Sequence, residues 1–202
     1  MKKILIIILL TQLYSDIPDR RVVAEWEPAI GTMISWPLGI PSDLVIELAN
    51  EDILYVLVET NNQQNQATNN FNNWGVNSDN VVFINTDTYS YWTRDHGPQF
   101  VIGEDYWKVV NQYFNGYPEE NGCQEDLFIE DNNHTEGRPL PFESRGWEED
   151  DDTNIDFANQ MNWGILDLPL YLTGGNFMTD GYGMGFSTQL MVNENNISNN
   201  EF

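Results

Sequence analysis

The run "DILYVLVET" (52–60) leaves little choice about what must surround it. From Ile53 to Val58 every residue is aliphatic or aromatic. A strand of this kind has no polar face to give to water and needs cover on both sides. Its neighbours in sequence can supply that cover. "PSDLVIELAN" precedes it, with Ser42 as an N-cap and apolar residues at Leu44, Val45 and Leu48. Ala67, Phe71 and Trp74 follow at helical spacing, and Gly75 is placed to end that helix. "NVVFIN" is then a second buried strand, and "GTMISWP", stopped by Pro37, is an earlier one. Strands alternating with helices predict an α/β fold around a parallel sheet.

The order recurs further along. After "NVVFIN" come a polar corner, "YWTRDHG", and a hairpin, "PQFVIGEDYWKVV", turning at Gly103-Glu104-Asp105. After a helix at roughly 153–163 come the strand "LPLYLT", a second corner, "GGN", and a second hairpin, "NFMTDGYGMGFSTQLMV". Tyr91-Trp92-Thr93 precedes one corner and Tyr171-Leu172-Thr173 the other. Two copies of one order indicate a repeated α/β module. Corners at strand ends in such a fold point toward one shared place, which puts Asp95 and Asn176 in a single site.

Residues 117–152 break this rhythm with an acidic excursion rich in Pro and Gly. Its end resembles the opening of a calcium loop, with Asp150, Asp152, Asn154 and Asp156 at alternate positions, but Ile155 and Met161 occupy positions where a calcium-binding EF-hand needs Gly and Glu. A looser calcium site is one reading; acids at the start of a helix are the simpler one. Cys123, the only cysteine, sits among acids that raise a thiol pKa, so it reads as a free thiol. Eight basic residues against 32 acidic give a net charge of −24, which argues against nucleic acid; the bulk of the acids read as solubilising surface, and a cationic ligand or a calcium-rich exterior fits the charge better than a phosphate does. With 41% hydrophobic and 13% aromatic residues, the 202-residue chain can build a sizeable core. The start "MKKILIIILL" is too short to span a bilayer as a helix, and it reads as an export signal over 1–15. A buried first strand is the competing reading. The signal places the protein in a secreted or periplasmic setting, with residues 16–202 as one domain.

Three motifs then become recognisable in order: "AEWEPAIGTMISWP", "WTRDHGPQFV" and "TGGNFMTDGYGMGFST". They resemble the agmatine deiminase and porphyromonas-type peptidylarginine deiminase family of guanidine-modifying proteins. The resemblance covers nearly everything after the signal, least well the excursion. It implies a pentein-type α/β propeller of repeated ββαβ modules, of which this chain would hold about three of five, an incomplete ring. It also implies hydrolysis of a guanidinium to a ureido group with release of ammonia, with no cofactor and no metal. The substrate would be a small guanidino compound such as agmatine, or an arginine-containing peptide.

That chemistry needs a carboxylate to grip the guanidinium, a thiolate to attack its carbon and a histidine to move protons. By resemblance, Asp95 is the gripping carboxylate and Trp92 packs along the substrate's alkyl arm. Gly175, with Gly174, lets backbone approach closely. Asn176 and Asp180 fall in the same motif, Asp180 also being placed to close a hairpin turn with Gly181. The family's His-x-Asp pair and its cysteine are expected downstream of "GGN", and the chain stops at Phe202 before them. His96 and His134 stand in the wrong motifs, so His96 reads as structural or as a neighbour of the substrate. Two alternatives remain at this point. Asp95 could instead form a structural pair with Arg94, and the chain could be a non-catalytic secreted binding module for arginine-containing peptides or calcium.

Overall fold

The computed structural model of the protein describes residues 20–114 and 148–195. The apolar start with its proposed export signal, Cys123, His134 and residues 115–147 of the acidic excursion lie outside the described residues. Strands β1 (Arg20–Val22) and β2 (Gly31–Ser35) are followed by helix α1 (Ser42–Glu51), β3 (Ile53–Val58), α2 (Asn61–Trp74) and β4 (Val81–Asn85). A one-turn helix, α3 (Thr93–His96), leads into the hairpin of β5 (Gln99–Gly103) and β6 (Tyr106–Tyr113). Beyond the excursion come α4 (Glu148–Asp151), α5 (Thr153–Gln160), β7 (Gly164–Tyr171), the ribbon of β8 (Phe177–Thr179) and β9 (Gly185–Ser187), and α6 (Gln189–Glu194).

The strands β2, β3 and β4 form a parallel sheet with β3 in the middle, Met33 beside Tyr55 and Val56 beside Phe83. Its two faces belong to two different cores, as the unbroken apolar run requires. Leu54, Val56 and Val58 pack with Val45 and Ala49 of α1 and Ala67 and Phe71 of α2. Tyr55 and Leu57 face the other way, toward Val109 of β6 and Phe157 and Ala158 of α5. Each fully buried Val or Leu stabilises the fold by about 1.5–3 kcal/mol, so β3 is its main apolar anchor. Phe157 is the hub of the second core. It meets Tyr55 edge to face at 5.4 Å, Phe100 at 6.2 Å and Trp163 at 5.5 Å. The second sheet has the order β1-β5-β6-β7, with β6 and β7 parallel. Among the described residues, no helix is long and apolar enough to cross a membrane.

Local chemistry explains most boundaries. At the start of α2, Thr60 accepts the Gln63 N–H, and the Gln63 side chain accepts the Glu59 N–H at 2.7 Å. Gly75 ends α2 at φ 79°, and the Val76 N–H reaches the Phe71 carbonyl. Ser42, expected as the N-cap of α1, is instead its first residue. Pro41 caps the helix with its carbonyl alone, accepting from Leu44 and Val45. The helix expected over 153–163 stops at Gln160, because Asn162 turns into the left-handed region at φ 55°. That lets β7 begin at Gly164, four residues before "LPLYLT". The end of the excursion is α4 rather than loop. Asp150 therefore lies on α4 and Asn154 and Asp156 on α5, with Asp152 in the turn between them, and no group of three or more His, Cys, Asp or Glu is placed to hold a metal ion among the described residues.

Candidate active site

The corner "TRDH" is a single helical turn, where the sequence suggested only a polar corner. It is short because the Gly97 N–H returns to the Thr93 carbonyl and Pro98 follows at once. The turn is tied to β2 by the Thr93 hydroxyl, which donates to the Met33 carbonyl at 3.0 Å. It buries Asp95 and His96 while Arg94 and Trp92 stay at the surface. The second corner, Gly174–Asn176, packs directly against it. A Cβ at Gly174 would lie 2.3 Å from the Arg94 carbonyl oxygen, and one at Gly175 would lie 2.4 Å from Asp95 Oδ1. Only glycines allow this approach. The Gly175 N–H thereby reaches the Asp95 carboxylate.

Asp95 is 8% exposed. Burial pushes its carboxyl above the usual carboxylate range. The Gly175 N–H and the Arg94 guanidinium pull it down, and the Asp150 charge adds to the rise. Arg94 is engaged elsewhere, by Glu25 of "AEWEP". No ion pair to Asp95 occurs among the described residues, so the structural pairing with Arg94 is not what the carboxylate makes. Trp92 is 45% exposed and stacks on Tyr91, ring centroids 5.9 Å apart. The corner thus carries a buried carboxylate and, three residues before it in the chain, an exposed aromatic ring, two groups suited to a planar organic cation.

The other expected residues are placed as follows. Asn176 sits in the second corner, its Oδ1 accepting from the Thr188 N–H and hydroxyl, which ties the two ends of the β8–β9 ribbon together. Asp180 closes the ribbon's turn. Its Oδ1 accepts the N–H groups of Tyr182 and Met184, and these hold the exposed carboxyl below the usual range. His96 is fully buried, its Nδ1 3.1 Å from the Thr153 hydroxyl, away from any surface a substrate could reach. Glu27, the second glutamate of "AEWEP", makes a two-pronged pair with Arg21 at 2.5 and 2.7 Å. A cleft of about 360 Å³ opens nearby between the two sheets, lined by Met33, Tyr55, Phe100, Trp107 and Trp163, with Arg94 also on its wall. Asp95 and Trp92 do not line it. Glu25 and Glu27 do line it, paired with Arg94 and Arg21 respectively.

Asp150, which the sequence offered only as a calcium position, lies close by. Its buried Oδ1 accepts the N–H groups of Tyr89 at 2.8 Å and Ser90 at 3.1 Å and lies 3.8 Å from His96 Nε2. Nothing in "EEDDD" separates it from its neighbours.

The mixed α/β architecture is similar to that of solved agmatine deiminases. Solved structures with this fold include the agmatine deiminase of Enterococcus faecalis (TM-score 0.61, 20% identity, 91% of this chain and 47% of that one). The agmatine deiminase of C. jejuni matches at TM-score 0.58 and 16% identity, over 87% of this chain and 48% of that one. A cysteine-to-serine variant of the latter with substrate bound matches at 0.60 and 16%, over 91% and 49%. The chain belongs to the Porphyromonas-type peptidyl-arginine deiminase family, whose model matches residues 21–201. It spans about half the length of these solved relatives.

Proposed function

We propose that this chain supplies the carboxylate-bearing part of a deiminase site and that Asp95 grips the guanidinium of agmatine, arginine or an arginine-containing peptide. The observation that carries this reading is a buried carboxylate with no ion pair among the described residues, on a corner with an exposed tryptophan. A charge-assisted hydrogen bond from a guanidinium would contribute about 1.5–3 kcal/mol there. In the reaction the family membership points to, a nucleophile adds to the guanidinium carbon, the C–N bond breaks and ammonia leaves. Water then supplies the oxygen of the ureido product. Asp95 orients the carbon for attack and Trp92 aligns the alkyl arm. Asp95 is neither the nucleophile nor the proton carrier. On this reading the 202-residue polypeptide by itself is expected to bind guanidino compounds without releasing ammonia. A partial ring of ββαβ modules is the arrangement this reading assumes, and the lysine-led apolar start supports export.

Titration calorimetry with agmatine and with an arginine-containing peptide, run beside an ammonia assay, tests the reading. Binding that is lost in Asp95→Asn, with no ammonia formed, is the expected result. Absence of binding, or binding indifferent to Asp95→Asn, would overturn the assignment. Ammonia release abolished by Cys123→Ala would show a site rebuilt around Cys123.

A further inference from the structure

We infer that Asp150 is a positioning residue for this site: its buried carboxylate fastens the segment that carries Trp92 and Asp95 and sets the charge environment in which Asp95 works. The inference rests on the reading of Asp95 above and deepens it.

The geometry is specific. Tyr89 and Ser90 lie between the end of β4 and the turn α3, where the chain has left the sheet and its ladder of hydrogen bonds. Their N–H groups both point to one oxygen, Asp150 Oδ1, some 60 residues away in sequence. Ser90 then passes the constraint on, its hydroxyl accepting the Trp92 N–H at 3.3 Å. The Trp92 carbonyl in turn accepts the Asp95 N–H at 2.8 Å. A chain of contacts thus runs from Asp150 through the backbone to both residues of the site. On the far side, Asp151 accepts the Phe114 N–H at 2.5 Å, which fixes α4 against the end of β6. His96, whose ring lies 6.0 Å from that of Phe114, faces the same carboxylate.

A neutral acceptor would satisfy Tyr89 and Ser90 equally well, so those two bonds alone do not account for the buried carboxyl group of Asp150. Its second oxygen, Oδ2, has no hydrogen-bond partner among the described residues. The charge acts on Asp95, raising its carboxyl together with burial. The charged and titratable groups around the pair are Arg94, held by Glu25, beside Asp95, with His96, Asp151 and Asp152 beside Asp150. An Asp95 made less comfortable as an anion gains more when a cation arrives, and such a site favours positively charged ligands over neutral isosteres.

Two variants separate the tether from the charge. Asp150→Asn keeps an acceptor oxygen and removes the charge; Asp150→Ala removes both. Agmatine affinity is measured from acid to neutral pH, and hydrogen exchange is followed at the Tyr89 and Ser90 amides. Asp150→Asn is expected to shift the acid limb of binding to lower pH and to leave those amides protected. Asp150→Ala is expected to shift the limb the same way, lose protection and weaken binding about tenfold or more, about 1.4 kcal/mol. A limb unmoved in both variants, with wild-type affinity, overturns the inference. If Asp150→Ala does not fold, the limb in Asp150→Asn still decides. Wild-type protein that binds no agmatine would instead sink the reading of Asp95, and the NMR titration of the Asp95 carboxyl in Asp150→Asn would then decide the inference alone.

Discussion

At the scale of single residues, two carboxylates in this protein carry opposite signs. The Asp95 carboxyl is raised, first by burial, so its anionic form is less favourable in the folded chain than in the unfolded one. This penalty is absent below the ordinary value of 3.8, where both states are protonated. It grows as pH rises through the raised value and persists at neutral pH. Asp95→Asn is therefore expected to raise the melting temperature at pH 7, and the gain should vanish in acid. The Glu27 carboxyl is depressed to about 2, chiefly by the Arg21 hydrogen bonds. Its contribution is fully present above the ordinary value of 4.5 and is lost as pH falls through about 2. Glu27→Gln should therefore lower the melting temperature at pH 7 and converge with wild type in strong acid. Melting curves of the two variants across pH check both signs. A loss of stability at pH 7 in Asp95→Asn would contradict the first. The glycine corner gives a third outcome. In Gly174→Ala the new methyl meets the Arg94 backbone carbonyl, which cannot move aside cheaply, at an expected cost of about 1–3 kcal/mol in a urea titration.

At the scale of elements, α5 seats the second core through one large side chain. Phe157→Ala would remove the ring that meets Tyr55, Phe100 and Trp163 and is expected to cost about 3–5 kcal/mol by chemical denaturation. A loss under about 1 kcal/mol would mean that α5 is not seated as described. Elements with strong local signals are legible in the amino-acid sequence alone: the unbroken run of β3, the spacing and Gly75 stop of α2, the turn between β5 and β6. Close approach at Gly174-Gly175 is also legible, because few other reasons put two glycines after a strand. What stays hidden depends on partners distant in sequence. β1 is three residues long with two arginines, and only β5 makes it a strand. The parallel pairing of β6 with β7 has no local trace. Asp150 lies in an acidic run whose members look alike until α4 buries one and leaves Asp152 exposed.

At the scale of the whole molecule, a chain of net charge −24 also exposes several large apolar side chains. Met178, Met184 and Phe186 stand out from the β8–β9 ribbon, and Leu166 and Tyr171 from β7, a largely apolar strand in which no residue is buried. Edges of this kind promote association, while like charge opposes it. Sedimentation velocity of the 202-residue polypeptide should therefore show more self-association as salt screens the charge, and Phe186→Lys should reduce it without lowering the melting temperature. A monomer at every salt concentration would contradict that balance. The most direct test of a guanidinium-holding corner is a carbon-13 NMR titration of the Asp95 carboxyl, with and without agmatine. The free carboxyl should titrate above the ordinary carboxylate range and fall when agmatine binds, because the cation favours the anion. A carboxyl that titrates at 3.8 and ignores agmatine would contradict the assignment of Asp95 as the residue that grips the substrate.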